Sequence, residues 1–163
     1  MSGKRVGRMA LLALASSIWM QAAEPVRLLA TPLSDGGGVL QQGLMQNGAP
    51  SSITIPAITS LTVFRGLRID VPAGAGRLEV RVSLPAGVQF AIALRWGQEI
   101  VPSPLTSDYP VTVGNNPLAI TTSSSPPLRP GTYYIGVVVV SNSSTANGTV
   151  TATHSSTAPP PPA

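Results

Sequence analysis

Pro126-Pro127-Leu128-Arg129-Pro130-Gly131-Thr132-Tyr133-Tyr134-Ile135-Gly136-Val137-Val138-Val139-Val140 sets a tight turn directly before a long β-forming run. Pro130 presets φ for the second position of a type II turn, and Gly131 supplies the positive φ that the third position needs. Thr, Tyr, Ile and Val then follow with no helix former among them. Residues 132–140 are apolar on both faces, which predicts a central strand covered on each side.

Upstream of this run the punctuation is regular. Ile53-Thr54-Ile55 reads as a short strand closed by Pro56. From Leu61 to Val71, Leu67, Ile69 and Val71 alternate with Arg68 and Asp70, the period of a strand with one buried face. Leu78, Val80, Val82 and Leu84 then alternate with Glu79, Arg81 and Ser83. Val88, Phe90, Ile92, Leu94 and Trp96 alternate with Gln89, Ala91, Ala93 and Arg95. Val71-Pro72-Ala73-Gly74 and Leu84-Pro85-Ala86-Gly87 repeat one turn chemistry and predict two hairpins of a single sheet. Shorter strands are expected at Glu99–Val101, Val111–Val113 and Leu118–Thr122, then a polar loop over 142–148 and a last strand over Thr149–Thr153. About eight short strands with such turn spacing predict an all-β fold, an antiparallel β-sandwich or barrel.

The flanks differ in character. Lys4, Arg5 and Arg8 precede an apolar run from Met9 to Ala15, and small residues arrive at Ala22 and Ala23. That order is the layout of a secretory signal peptide over 1–23. The run is short for a membrane span and is interrupted by Ser16, Ser17 and Gln21, so no stable span is expected after cleavage. Residues 24–50 form an irregular, glycine-rich lead-in with short pairing around Val26–Leu29 or Val39–Leu44. The sandwich is assigned to 51–154, and 155–163 is a proline-rich tail.

Charge and cysteine content narrow the function. The chain carries ten Lys+Arg against six Asp+Glu. Three of the cations lie in the signal, leaving seven against six in the mature part, a formal +1. Those seven are single arginines (Arg27, Arg65, Arg68, Arg77, Arg81, Arg95, Arg129), with none of the clustering that displaces counterions from phosphates. Nucleic acid is therefore not an expected partner. Cysteine is absent, so no disulfide, thiolate metal site or lipidated cysteine is available.

The block from Phe64 to Thr153 resembles the bacterial pre-peptidase C-terminal domain family, exported modules that usually sit beside secreted proteases. The residues that carry this are Phe64-Arg65-Gly66-Leu67-Arg68-Ile69-Asp70-Val71-Pro72-Ala73-Gly74, Arg77-Leu78-Glu79-Val80-Arg81-Val82, Leu94-Arg95-Trp96-Gly97, Asn116-Pro117-Leu118-Ala119-Ile120-Thr121 and Pro130-Gly131-Thr132-Tyr133-Tyr134-Ile135-Gly136-Val137. The resemblance implies a jelly-roll-like sandwich that is non-catalytic and assists secretion or localisation. It also implies binding of insoluble substrate in some members. The acidic segment that the family usually carries on entering the strand that ends at Gly97 reads Gly87-Val88-Gln89-Phe90-Ala91 here, without a carboxylate. Calcium takes six to eight oxygen ligands, and the mature acids Glu24, Asp35, Asp70, Glu79, Glu99 and Asp108 are scattered singly. Backbone carbonyls with one or two of them could form a calcium site, but these acids do not support one, and no cofactor is expected.

No catalytic residue is expected either. The only histidine, His154, falls where the last strand meets the tail, and no paired carboxylates or phosphate loop accompany it. The candidate binding surface is Trp96, Tyr109, Tyr133 and Tyr134. Tyr133 and Tyr134 are neighbours in a strand, so one faces the core and the other faces outward. Arg68, Arg81 and Arg95 are expected to pair across strands with Asp70 and Glu79, an anion-recognition stripe being the alternative. The expected product is a secreted, periplasmic or extracellular accessory module, not an enzyme, that aids secretion or localisation of a partner such as a secreted protease. The alternative is a stand-alone binder of an extracellular polymer, protein or polysaccharide. Intact mass of the exported protein tests the first boundary: a product beginning at Glu24 is expected, and one retaining Met1–Ala23 would contradict the signal assignment.

Overall fold

A computed structural model describes residues 28–29, 31–32 and 37–156 of the chain. The proposed signal peptide and the tail beyond Ser156 lie outside the described residues. No helix is present among the described residues, and none is therefore long and apolar enough to cross a membrane.

Ten strands build two sheets: β1 (Leu28–Leu29), β2 (Thr31–Pro32), β3 (Gly37–Leu44), β4 (Pro50–Ile55), β5 (Thr62–Val71), β6 (Ala75–Ser83), β7 (Gln89–Trp96), β8 (Leu118–Thr121), β9 (Gly131–Ser141) and β10 (Ala146–Ser156). The first sheet runs β1-β4-β10-β6-β8 and the second β2-β3-β5-β9-β7. The expected sandwich is present, with eight strands of four residues or more. Pairing is antiparallel except for β1 with β4 and β3 with β5, which are parallel. Strands thus occupy parts of the lead-in, and the last strand takes in Ser155 and Ser156.

From β3 onward no two consecutive strands share a sheet. This corrects the hairpin reading of the repeated Pro-Ala-Gly turns. Each carries β5 to β6, or β6 to β7, from one sheet to the other. The local turn chemistry is nevertheless as expected. Ala75 N–H donates to Pro72 O at 3.3 Å and Val88 N–H to Pro85 O at 3.4 Å, with Gly74 and Gly87 at positive φ.

Between the sheets lie Phe64, Leu67, Ile69, Leu78, Val80, Val82, Ile92, Leu94, Tyr133, Ile135, Val137, Val139, Val150 and Ala152, all buried. The alternation of β5, β6, β7 and β9 supplies them directly. A bulge at Arg65–Gly66, where the β5–β9 register shifts, keeps Phe64 and Leu67 on this face.

The second sheet also has a covered outer face. Val63, Ala91, Ala93 and Val138 form a smaller cluster with Ile100, and Leu105, Val111 and Tyr134 pack against it. Chain from Gln98 to Gly114 is laid over the sheet to make this cover. It replaces the two short strands expected at Glu99–Val101 and Val111–Val113. Their backbone groups bond elsewhere: Val101 N–H donates to Thr106 Oγ1 at 2.7 Å, and Thr112 O accepts from Asn115 N–H at 3.0 Å. The cover explains why β9 is apolar on both faces. The polar loop is also shorter than expected, because β10 begins at Ala146.

Three asparagine side chains extend the sheets. Asn115 Nδ2 donates to Ile92 O at 2.9 Å while its Oδ1 accepts from Ile92 N–H at 2.7 Å, on the outer edge of β7. Asn116 does the same with Val82, at 2.8 and 3.0 Å, in line with β8 beside β6. Asn47 does so with His154, at 3.1 and 2.7 Å, in line with β4 beside β10. A primary amide carries one donor edge and one acceptor, so it substitutes for the peptide of a neighbouring strand. Adjacent residues 115 and 116 therefore join the two sheets on their open side. Asn116→Ala removes two such bonds and leaves Val82 unpaired, an expected loss of about 1–3 kcal/mol. The denaturant midpoint should fall with an unchanged slope, and an unmoved midpoint would contradict this role.

Candidate functional site

The strand ends β7 and β9 meet at one end of the sandwich, where Trp96 pairs with Tyr133. Gly97, at φ 71, turns the chain away, and its N–H donates to Thr132 O at 2.8 Å. Trp96 is held on several sides. Its backbone N–H donates to Asp108 Oδ2 at 2.7 Å, and its indole Nε1–H donates to Pro130 O at 3.1 Å. The Arg129 guanidinium lies 5.4 Å from the ring centroid, within cation–π range. Even so, the residue remains 40% exposed.

Gly131 is required here for two reasons. It sits at φ 125, where a side chain is strained, and a Cβ would stand 2.9 Å from the indole Nε1. The indole thus rests on bare backbone.

A cleft of about 300 Å³ opens beside this tryptophan. Pro126, Pro127 and Arg129 form one wall; Arg95, Gln98 and Asp108 line it elsewhere; Tyr109 and Tyr133 reach it from beneath. Arg95 is fixed through Nη1 to Glu99 O at 2.8 Å and Thr106 Oγ1 at 3.1 Å, and through Nη2 to Gln98 Oε1 at 2.7 Å. Asp108 is placed by its own N–H, which donates to Leu94 O at 2.9 Å. Ser107 completes the row, its Oγ accepting from Leu94 N–H at 3.1 Å. The outer edge of β7 is thus occupied by Asn115, Ser107 and Asp108. That edge is therefore closed to an added strand.

Of the four aromatic residues singled out in the sequence, three converge on the cleft. Trp96 is at its mouth, whereas Tyr109 and Tyr133 are buried. The Tyr133 hydroxyl accepts from Arg129 N–H at 2.9 Å, four residues upstream, and ties the turn to the strand. Tyr134 points to the other face of the sheet, in register with Arg68 on β5 and Arg95 on β7, and is half-buried against the outer cluster. Tyr133 is therefore the core residue of the pair and Tyr134 the outward one. Arg129, Gln98, Asp108 and the two prolines were not anticipated as site residues. The signal for the wall was Pro126-Pro127-Leu128-Arg129-Pro130 itself, which holds that segment extended up to the strand.

The expected cross-strand ion pairs are replaced. Glu79 is bound by Arg77 at 2.6 Å and Arg81 at 3.0 Å, both on its own strand, and these bonds hold its carboxyl below the usual range. Asp70 accepts from Thr132 Oγ1 at 2.6 Å. Among the described residues, Arg68, Arg95 and Arg129 have no carboxylate partner. His154 lies in β10, far along the chain from these groups and clamped by Asn47. No group of three His, Cys, Asp or Glu side chains converges among the described residues.

Comparison with known proteins finds seven similar chains among the solved structures. The pre-peptidase C-terminal domain of collagenase from Bacillus anthracis is similar over 68% of this chain and 95% of its own, at 12% identity and a TM-score of 0.36. No family model and no curated protein matches the chain. The kinship expected from the sequence therefore rests on the sequence motifs.

Burial pushes the Tyr109 phenol well above its ordinary value, with the neighbouring Tyr133 and Asp108 adding to the effect and Arg129 opposing it. The folded state thus holds Tyr109 protonated where the unfolded chain releases the proton. Its contribution is fully present below about pH 10, the ordinary tyrosine value, and is lost as pH rises further. Stability measured from pH 8 to 11.5 should decline at the alkaline end, and Tyr109→Phe should flatten that decline. An unchanged slope in the variant would contradict the assignment.

Proposed function

We propose that this chain is an exported, non-catalytic accessory module of the pre-peptidase type. Its contribution to a partner protein is localisation, through the hold of the Trp96 cleft on an extracellular polymer. The observation that carries this reading is a half-exposed tryptophan beside a cleft of about 300 Å³, its backbone held by Asp108 and its indole by Pro130 O and the Arg129 guanidinium. An aromatic plane whose orientation is fixed in advance loses little freedom when a ligand arrives. The groups around it are guanidinium, amide, carboxylate and phenol, suited to hydrogen bonding. None is arranged as a nucleophile beside a base. Export is supported by the basic, apolar and small-residue order of the first 23 residues.

Partition of the purified chain on insoluble protein and polysaccharide matrices tests this. Retention on at least one polymer is expected, with at least a tenfold loss for Trp96→Ala and little change for Leu61→Ala, an exposed apolar residue elsewhere on the surface. No retention on any matrix, or retention that ignores Trp96, would overturn the reading.

A further inference from the structure

The Trp96 cleft offers many more hydrogen-bond donors than acceptors. Arg129 makes no side-chain hydrogen bond among the described residues, although its guanidinium is placed against the indole. Arg95 spends both Nη1 protons and one Nη2 proton on fixed partners, which leaves an Nη2 proton and Nε–H to donate. Gln98 turns its Oε1 to Arg95, so its amide nitrogen carries two further donors. Against these, Asp108 contributes the oxygen not bound to Trp96 N–H. Such a balance favours a ligand that brings an anionic acceptor together with a few hydroxyl groups.

The arrangement also narrows the kind of polymer. A peptide partner could add as a strand, lay down a helix or dock as a polyproline segment. Strand addition is closed at this end, because Asn115, Ser107 and Asp108 already bond the free edge of β7. A helix needs an apolar groove, and a polyproline segment needs several exposed aromatic rings; Tyr109 and Tyr133 are buried. A sugar ring needs neither. It needs only one partly exposed aromatic side chain, with planar polar side chains around the rim.

We propose that the cleft binds an acidic polysaccharide, with a uronate carboxylate on the Arg129 guanidinium fork and the sugar ring beside the part of Trp96 that remains exposed. Asp108 and Gln98 take the ring hydroxyls. Arg129 suits this role because its fork is planar, always charged and held in place before the ligand arrives. This inference rests on the polymer-binding reading of the same cleft.

Calorimetric titration of the full chain with oligogalacturonate tests it, alongside the methyl-esterified oligomer, a neutral β-glucan oligomer and a polyglutamate peptide. Saturable binding to oligogalacturonate is expected, weakened by salt. Methyl esterification and Arg129→Gln should each cost at least tenfold. Because Arg129 is exposed, the Arg129→Gln protein should stay folded and melt within a few degrees of the parent, the difference being the lost cation–π contact. Equal affinity for the methyl ester, an unaffected Arg129→Gln protein, polyglutamate binding as tightly, or no binding of oligogalacturonate would each overturn the proposal. Trp96-dependent retention on a neutral or protein matrix would leave the module reading standing in those cases. Only its loss on every matrix would remove both.

Discussion

A sheet edge leaves backbone N–H and C=O groups that must find partners, and in this chain the side-chain amides of Asn47, Asn115 and Asn116 supply them. Each amide bonds both backbone groups of one residue in a facing strand: His154, Ile92 and Val82 respectively. The pair at 115 and 116 has the larger consequence. One side chain grips the second sheet and the next grips the first, so two bonded neighbours fix the spacing of the layers at their open side.

The position of the cleft follows from that constraint. The chain from Gln98 to Gly114 leaves β7, crosses its outer face and returns along its edge before reaching Asn115. With Asn115 anchored, Ser107 and Asp108 are drawn against Leu94 and Trp96 in the same edge row. Ile100 is then pressed into the outer cluster with Ala93 and Val138. Asp108 arrives beside the indole, and Tyr109 passes beneath it next to Tyr133. The opposite wall comes from the proline-rich approach to β9, fastened by the Tyr133 hydroxyl on Arg129 N–H. Edge closure and site assembly are therefore one structural event.

Period-two alternation made the sandwich legible, because it places Leu67, Ile69, Val80, Val82, Ile92 and Leu94 on inward faces whatever the connections do. It could not say which strands share a sheet. A Pro-Ala-Gly turn has the same local geometry in a hairpin and in a crossing between layers, so the repeats at 71–74 and 84–87 were read as hairpins. The outer cover was hidden for another reason. Ala91 and Ala93 look like the indifferent face of β7, and only a distant segment carrying Ile100 buries them. Trp96, Tyr109 and Tyr133, which share the cleft, were singled out by residue type. Arg129 and Asp108 were missed because their role depends on where two loops end. The asparagine amides carried no signal at all, since an asparagine before a proline or glycine reads as a turn.

Residue-resolved amide hydrogen exchange on the purified chain tests the edge closure most directly. If side chains take the place of a strand, the N–H groups of Ile92, Leu94 and Trp96 on the outer edge of β7 will be protected, Ile92 nearly as strongly as interior amides of β9. Exchange at these three positions at the rate of an open, solvated edge would contradict the account, and with it the placement of Asp108 and Tyr109 at the cleft.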